Sequence, residues 1–217
     1  MMVLEQLLEE KLIAIIRGIP AERMEQTARA LLGGGIRCLE VTLDHTSSKG
    51  RENTLQSLAC LTGIPEILPG AGTVLTVEEA ELACRAGAKY IISPDTVPEV
   101  IARTKVLGMV SIPGAMTPTE VTLAHRSGAD IVKLFPAGTL GADYCKALRG
   151  PLPHIPCAAV GGVDAENLGQ FYRAGVRCFG IGGSLVSPAD IRAGRFEVIT
   201  AGAAALRAAL TQAEREI

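Results

Sequence analysis

The chain has 217 residues, of which 48% are hydrophobic and 20% charged, with a formal net charge of -2. That length supports one substantial core, in one or two domains. The balance lacks the basic surplus of a nucleic-acid binder, and 3% aromatic residues offer few platforms for stacking bases.

The opening stretch, Met1 to Lys11, carries glutamates and lacks the positive start and long apolar core of a secretory signal. Lys11 to Arg17 is a short apolar run ended by Gly18 and Pro20, and it reads as the first strand. Apolar residues at helical spacing over Ala21–Leu32, stopped by Gly33-Gly34-Gly35, predict a helix and a turn. Ile36–Leu43 is the second strand, Asp44–Gly50 a polar loop, Arg51–Leu61 a helix and Glu66–Thr73 the third strand. Thr76 followed by Glu79, and Thr117-Pro118 followed by Glu120, are capping boxes that open helices. Between and after them come strands at Tyr90–Ser93 and Met109–Ile112 and a helix at Val97–Leu107. The sixth strand lies within Gly128–Ala137, followed by a helix at Ala142–Leu148 and a strand at Ile155–Val160. A helix at Ala165–Ala174, a strand at Arg177–Ile181 and an Ala/Leu-rich helix at Val198–Glu214, expected to cross the last strand, complete the chain.

Eight strand–helix pairs of roughly 27 residues each suit a TIM (β/α)8 barrel filling residues 1–217 as a single domain; a doubly wound open sheet shares the same local pattern. Gly35, Gly87, Gly128 and Gly175 each precede a buried strand, a partial repeat about two units apart, and a helix-ending glycine explains it. No apolar run reaches the roughly 18 residues of a membrane span. Cys38, Cys60, Cys84, Cys145, Cys157 and Cys178 show no C-x-x-C pair and read as reduced core thiols of a cytoplasmic protein, so no metal site is expected.

One residue is out of place. Lys133 sits inside the apolar run Ile131-Val132-Lys133-Leu134-Phe135. A buried ammonium is costly, so its amine either reaches a cleft or falls in pKa until it is a usable nucleophile. In a parallel barrel the ends of the strands carry the active face. Arg17, Glu40 and Lys133 come late in strands one, two and six, whereas Lys11, Lys89 and Arg177 come at strand starts. An amine for a Schiff base, a carboxylate for proton transfer and a guanidinium for a substrate carboxylate thus share a rim; an ion-pair network at the barrel mouth would use the same residues. Gly161-Gly162 and Gly182-Gly183-Ser184 follow strands seven and eight, where barrels commonly hold phosphate. Gly70-Ala71-Gly72-Thr73 is a further close-approach loop, and Lys49 and Arg51 stand near the rim. His45, His125 and His154 are dispersed and read as surface or loop residues.

Glu40-Val-Thr-Leu, Gly70-Ala-Gly-Thr-Val-Leu, Ile92-Ser-Pro, Pro113-Gly-Ala-Met-Thr-Pro-Thr-Glu, Lys133-Leu-Phe-Pro-Ala, Gly161-Gly-Val and Gly182-Gly-Ser together resemble the 2-keto-3-deoxy-6-phosphogluconate / 4-hydroxy-2-oxoglutarate aldolase family, in order from Arg17 to Ser184. The resemblance implies a metal-independent class I aldolase on a TIM barrel, usually a homotrimer, acting on a small 2-keto acid. It implies Lys133 as the Schiff-base lysine and Glu40 as general acid/base. Arg17 and Thr73 would hold the carboxylate of the pyruvate portion, and Pro94 and Phe135 would wall the site. Gly161, Gly162, Gly182, Gly183 and Ser184 would receive the distal phosphate. Two positions depart from phosphosugar-cleaving members: Asp44 stands where they carry arginine, and Val160 where they carry threonine. These changes predict a weaker preference for phosphorylated substrates, or an anion contact supplied by Arg51 or Lys49. Two other readings are a phosphate-binding isomerase or transferase, which gives no reason for the lysine inside the strand, and a non-catalytic sugar-phosphate binder, which predicts ligand binding without turnover.

Overall fold

The computed structural model describes residues 2–216. In chain order the elements are α1 (Val3–Glu10), β1 (Leu12–Ile16), α2 (Met24–Gly33), β2 (Cys38–Thr42), α3 (Ser48–Leu61), β3 (Leu68–Gly72), α4 (Val77–Arg85), β4 (Tyr90–Ile92) and α5 (Pro98–Val106). There follow β5 (Val110–Ile112), β6 (Gly114–Ala115), α6 (Pro118–Arg126), β7 (Val132–Leu134), α7 (Ala137–Arg149), β8 (Cys157–Val160), α8 (Leu168–Arg173), β9 (Cys178–Ile181), α9 (Pro188–Arg192) and α10 (Phe196–Arg215).

The strands form one parallel sheet in the order β5-β4-β3-β2-β1-β9-β8-β7-β6. Its two ends are halves of a single strand divided at Pro113, which has no N–H to give to a ladder. One half pairs with β4 and the other with β7. Backbone bonds from Asp130 N to Ser111 O (3.0 Å) and from Lys133 N to Pro113 O (2.9 Å) close the ring. The result is the expected eight-staved barrel.

Alternation along each strand separates two cores. Leu12, Ala14, Ile16, Leu39, Val41, Val132 and Leu134 pack outward under the helices. Ile13, Cys38, Leu68, Tyr90, Ile92, Ile131 and Cys178 fill the barrel interior. Glu40 stands two residues beyond Cys38, and Lys133 two beyond Ile131, so both point inward above that apolar floor. Burial pushes the Cys178 thiol up to about 12, which keeps it protonated and unreactive at neutral pH.

Several features differ from the sequence reading, among them an unforeseen α9 and an α7 that begins at Ala137 rather than Ala142. The opening residues form α1, whose Leu7 is fully buried and joins the interior core, with Val3, Leu4 and Leu8 packed against it. Its apolar face seals the barrel below the site. The segment after β2 turns helical at Ser48, because Ser47 caps the helix by accepting from Gly50 N at 3.0 Å. The last helix, α10, packs on α2 and α8 rather than across the last strand, and so takes the eighth place in the helical ring. Both capping boxes form as expected, at Thr76 with Glu79 and at Thr117 with Glu120.

Candidate active site

The C-terminal ends of the strands surround a cavity of about 540 Å³. Arg17, Glu40, Thr73, Pro94, Lys133, Phe135, Gly161, Gly162, Gly182, Gly183 and Ser184 all line it. Val160, singled out in the sequence as a departure from the family pattern, also lines the cavity, and Ile15, Val163, Val186 and Pro188, not foreseen as site residues, complete the wall. The signal for Ile15 was its place between Arg17 and the interior residue Ile13 at period two.

Lys133 is 7% exposed and Glu40 only 2%. Burial lowers the lysine's pKa from the usual ammonium range, with Arg17 adding to the effect and Glu40 and Asp95 opposing it. Burial raises the Glu40 carboxyl above its usual range, against the pull of Lys133 and Arg17. Both groups are therefore driven toward their neutral forms by desolvation. They do not form a salt bridge with each other, and Glu40 Oε2 has no hydrogen-bond partner among the described residues. That disfavours an ion-pair network closing the mouth and leaves amine and carboxyl facing shared space. The lysine Nζ lies 4.7 Å from the centre of the Phe135 ring, whose face suits a cationic nitrogen.

The glycines divide by cause. A Cβ on Gly70 would lie 2.1 Å from Tyr90 Cε2, and one on Gly72 would lie 1.6 Å from Glu40 Oε1. These two make room for side chains of the neighbouring strands rather than for a ligand, which corrects the close-approach reading. Gly161 and Gly162 have φ of 84° and 76°, and a Cβ on Gly162 would lie 2.9 Å from Gly138 Cα. Their conformation alone calls for glycine. Gly183 differs, because a Cβ there meets nothing within 4 Å. Neither its N–H nor those of Gly162 and Ser184 find a protein acceptor among the described residues. Three unpaired backbone donors beside a cavity form a place for an oxyanion.

Thr73 has φ of 57°, a left-handed conformation that is a genuine outlier for a β-branched residue and costs on the order of 1–3 kcal/mol. Its carbonyl accepts a bond from His45 Nε2 at 2.9 Å, a contact that sequence spacing gave no sign of. Asp44 lies outside the main cavity, lining a neighbouring one, and its Oδ1 accepts from Thr46 N and Oγ1 at 2.8 and 2.6 Å. Arg51 lines a separate groove, 3.9 Å from Glu79 Oε1, and Lys49 is exposed and lines neither cavity. Neither cation reaches the site, because α3 begins early enough to carry both away on its first turn.

A buried amine and a buried carboxyl share one cavity at the C-terminal mouth of a parallel barrel, the pair of groups that a lysine-based carbon–carbon lyase uses. A family model described as KDPG and KHG aldolase matches residues 3–202, and the chain belongs to that family. It is 37% identical to a probable 2-dehydro-3-deoxy-6-phosphogalactonate aldolase of Rhizobium meliloti, over 83% of this chain and 84% of that one. It is 38% identical to the 2-dehydro-3-deoxy-phosphogluconate aldolase of Treponema pallidum, over 87% and 90% respectively. Among solved structures it superposes on a native KDPGal structure with TM-score 0.84 and 35% identity, covering 94% of this chain and 96% of that one. A KDPG aldolase from Legionella pneumophila, with pyruvate captured as a covalent carbinolamine, matches with TM-score 0.81 and 28% identity over 90% and 93%.

Proposed function

We propose that the chain is a class I aldolase that cleaves a 2-keto-4-hydroxy acid to pyruvate and an aldehyde. Its preferred substrates are 6-phosphorylated 2-keto-3-deoxyhexonates, which release glyceraldehyde 3-phosphate. Cleavage of 4-hydroxy-2-oxoglutarate to pyruvate and glyoxylate is the secondary activity. The observation that carries this reading is Lys133 and Glu40, buried and unpaired with each other, facing one cavity.

The neutral Lys133 amine adds its electron pair to the C2 ketone, and the carbonyl oxygen takes a proton. Loss of water from the carbinolamine gives a protonated imine, an electron sink. Glu40, directly or through a water, removes the C4 hydroxyl proton. The freed pair forms the aldehyde C=O, and the C3–C4 pair moves into the imine as an enamine. Protonation at C3 by Glu40 and hydrolysis of the imine release pyruvate and restore the lysine. A carboxyl raised from its usual range suits both proton transfers. Arg17 and Thr73 hold the pyruvate carboxylate, Pro94 and Phe135 bound the reacting carbons, and the turns at Gly161-Gly162 and Gly182-Gly183-Ser184 receive the distal phosphate.

A preference for phosphorylated substrates is favoured by the unpaired donors of Gly162, Gly183 and Ser184. Asp44, whose charge weighs against that preference, lines the adjoining cavity, where its Oδ1 is engaged by Thr46. Relatives named for the gluconate and the galactonate compounds stand at similar identity, so both C4 epimers belong in the kinetic comparison. The proposed assembly is a cytoplasmic homotrimer. Its sedimentation mass would be three chains of 22.7 kDa. Among the described residues no helix is long and apolar enough to cross a membrane.

Borohydride reduction in the presence of pyruvate, followed by peptide mass spectrometry, tests the chemistry. A reduced pyruvyl adduct on Lys133 is expected. A folded protein that yields no adduct would return the lysine to a structural role and favour a binding barrel.

A further inference from the structure

We propose that His45 is a positioning residue that sets the pyruvate affinity of the site by holding Thr73 in place. The inference rests on the reading of Thr73 as a contact of the substrate carboxylate. His45 lies in the loop after β2 and Thr73 just after β3, and the two loops meet through the imidazole. Nε2 is 2.9 Å from the Thr73 carbonyl oxygen, and Nδ1 is 3.3 Å from Glu79 Oε1. A carbonyl oxygen can only accept, so Nε2 carries a proton and donates to it, while Nδ1 faces the Glu79 carboxylate.

Glu79 is itself fixed. It is 5% exposed, and its Oε2 accepts from Leu75 N at 2.8 Å and Thr76 N at 3.3 Å. One carboxylate thus anchors the backbone two and three residues beyond Thr73 directly, and the Thr73 carbonyl through His45. The other charged groups around the ring are Asp44 in the same loop, Arg17 across the adjoining cavity, and Arg51 and Glu52 on α3. Thr73 gains from such support because its left-handed backbone would relax to the ordinary side without it. Relaxation would turn the side chain that lines the cavity beside Arg17. His45 lines the adjoining cavity, which shares Arg17 and Thr73 with the main one, and its hydrogen bond to the Thr73 carbonyl is the link by which it acts on the site.

The test uses pyruvate as the probe and the concentration that gives half-maximal borohydride-trapped adduct as the readout. In His45→Ala this concentration should rise about three- to tenfold, the range one hydrogen bond carries, with kcat for cleavage within about twofold of wild type. In a Thr73→Ala background the same change should have little further effect, since neighbours that act as a unit are not additive. His45→Gln, whose amide can still donate to the carbonyl, should recover part of the loss. If His45→Ala does not fold, His45→Phe fills the ring's volume without a donor and takes its place. An unchanged half-saturation, or an equal shift with and without Thr73, would overturn the role of His45 while leaving the aldolase intact. Absence of any adduct in the wild type would remove the parent reading and this one together.

Discussion

Gly72 exists for Glu40: a Cβ at position 72 would sit 1.6 Å from the Glu40 Oε1 atom. The register places Glu40 opposite Gly70 and Thr42 opposite Gly72, so the carboxyl leans along β3 toward the mouth of the barrel. Gly72 has no left-handed φ, and alanine suits its backbone. Gly72→Ala should therefore fold, yet displace the acid/base by more than an ångström. A fall in kcat of about 10²-fold is expected. Steady-state kinetics beside a thermal melt checks this; a near-normal kcat would show that Glu40 does not act from its present position.

Lys133→Met separates a catalytic lysine from a structural one. Cleavage should fall by at least about 10³-fold, and pyruvate trapping should vanish. Stability should hold or rise, because a desolvated amine without a salt bridge gives way to an apolar chain of similar length. A large drop in Tm would instead mark the lysine as a structural partner.

The pH dependence follows from burial acting on both groups. Burial raises the folded pKa of Glu40 above the ordinary glutamate value of about 4.5, so its protonated form is favoured by folding. Its contribution to stability is fully present below about 4.5 and is lost as pH rises through the raised value. Measured against Glu40→Gln, the wild type should lose Tm across that window and then level off. Activity runs the opposite way: kcat/KM should rise with pH as Glu40 ionises, at a higher pH than an ordinary glutamate. The amine's lowered pKa extends the active range downward from where an ordinary lysine would set it. A Tm difference that is flat from pH 4 to 8 would contradict the burial-driven shift.

Gly183→Ala and Gly161→Ala should part company. Position 183 has free space for a Cβ, whereas Gly161 has φ of 84° and a Cβ there would lie 3.0 Å from Phe135 Cε2. Gly161→Ala should lower stability by about 1 kcal/mol or more. Gly183→Ala should melt normally but raise KM for the phosphosugars about tenfold, leaving 4-hydroxy-2-oxoglutarate little changed. An equal effect on both substrates would move the phosphate elsewhere.

Leu7→Ala tests the seal beneath the barrel. Leu7 is fully buried in the interior core, so its truncation should cost roughly 2–5 kcal/mol. The kcat should stay near wild type, since the plug lies at the far end from Lys133. A chemical denaturation series reads the first expectation and steady-state kinetics the second.

Much of this protein was legible from sequence because its physics is local. Period-two alternation on short apolar runs marked the strands, capping boxes marked helix starts, and a lone charge in an apolar strand marked Lys133. The rim residues Arg17, Glu40 and Lys133 followed from their late positions in parallel strands. Spatial relationships that cross strands were not legible. Sequence could not tell that Gly70 and Gly72 clear space for Tyr90 and Glu40, since that depends on the register of three strands. Nor could it show that Arg51 swings away to Glu79, or that His45 reaches a carbonyl 28 residues on.

The division has one cause. Sequence determined which residues are buried and which chemistry they bring, because hydrophobic period and turn propensity act over a few residues. Tertiary structure decided which of them meet and how burial tunes them. Closure of the ring at Pro113 is what brings β2 and β7, about ninety residues apart in sequence, to one cavity where burial makes an amine and a carboxyl both lean toward neutrality.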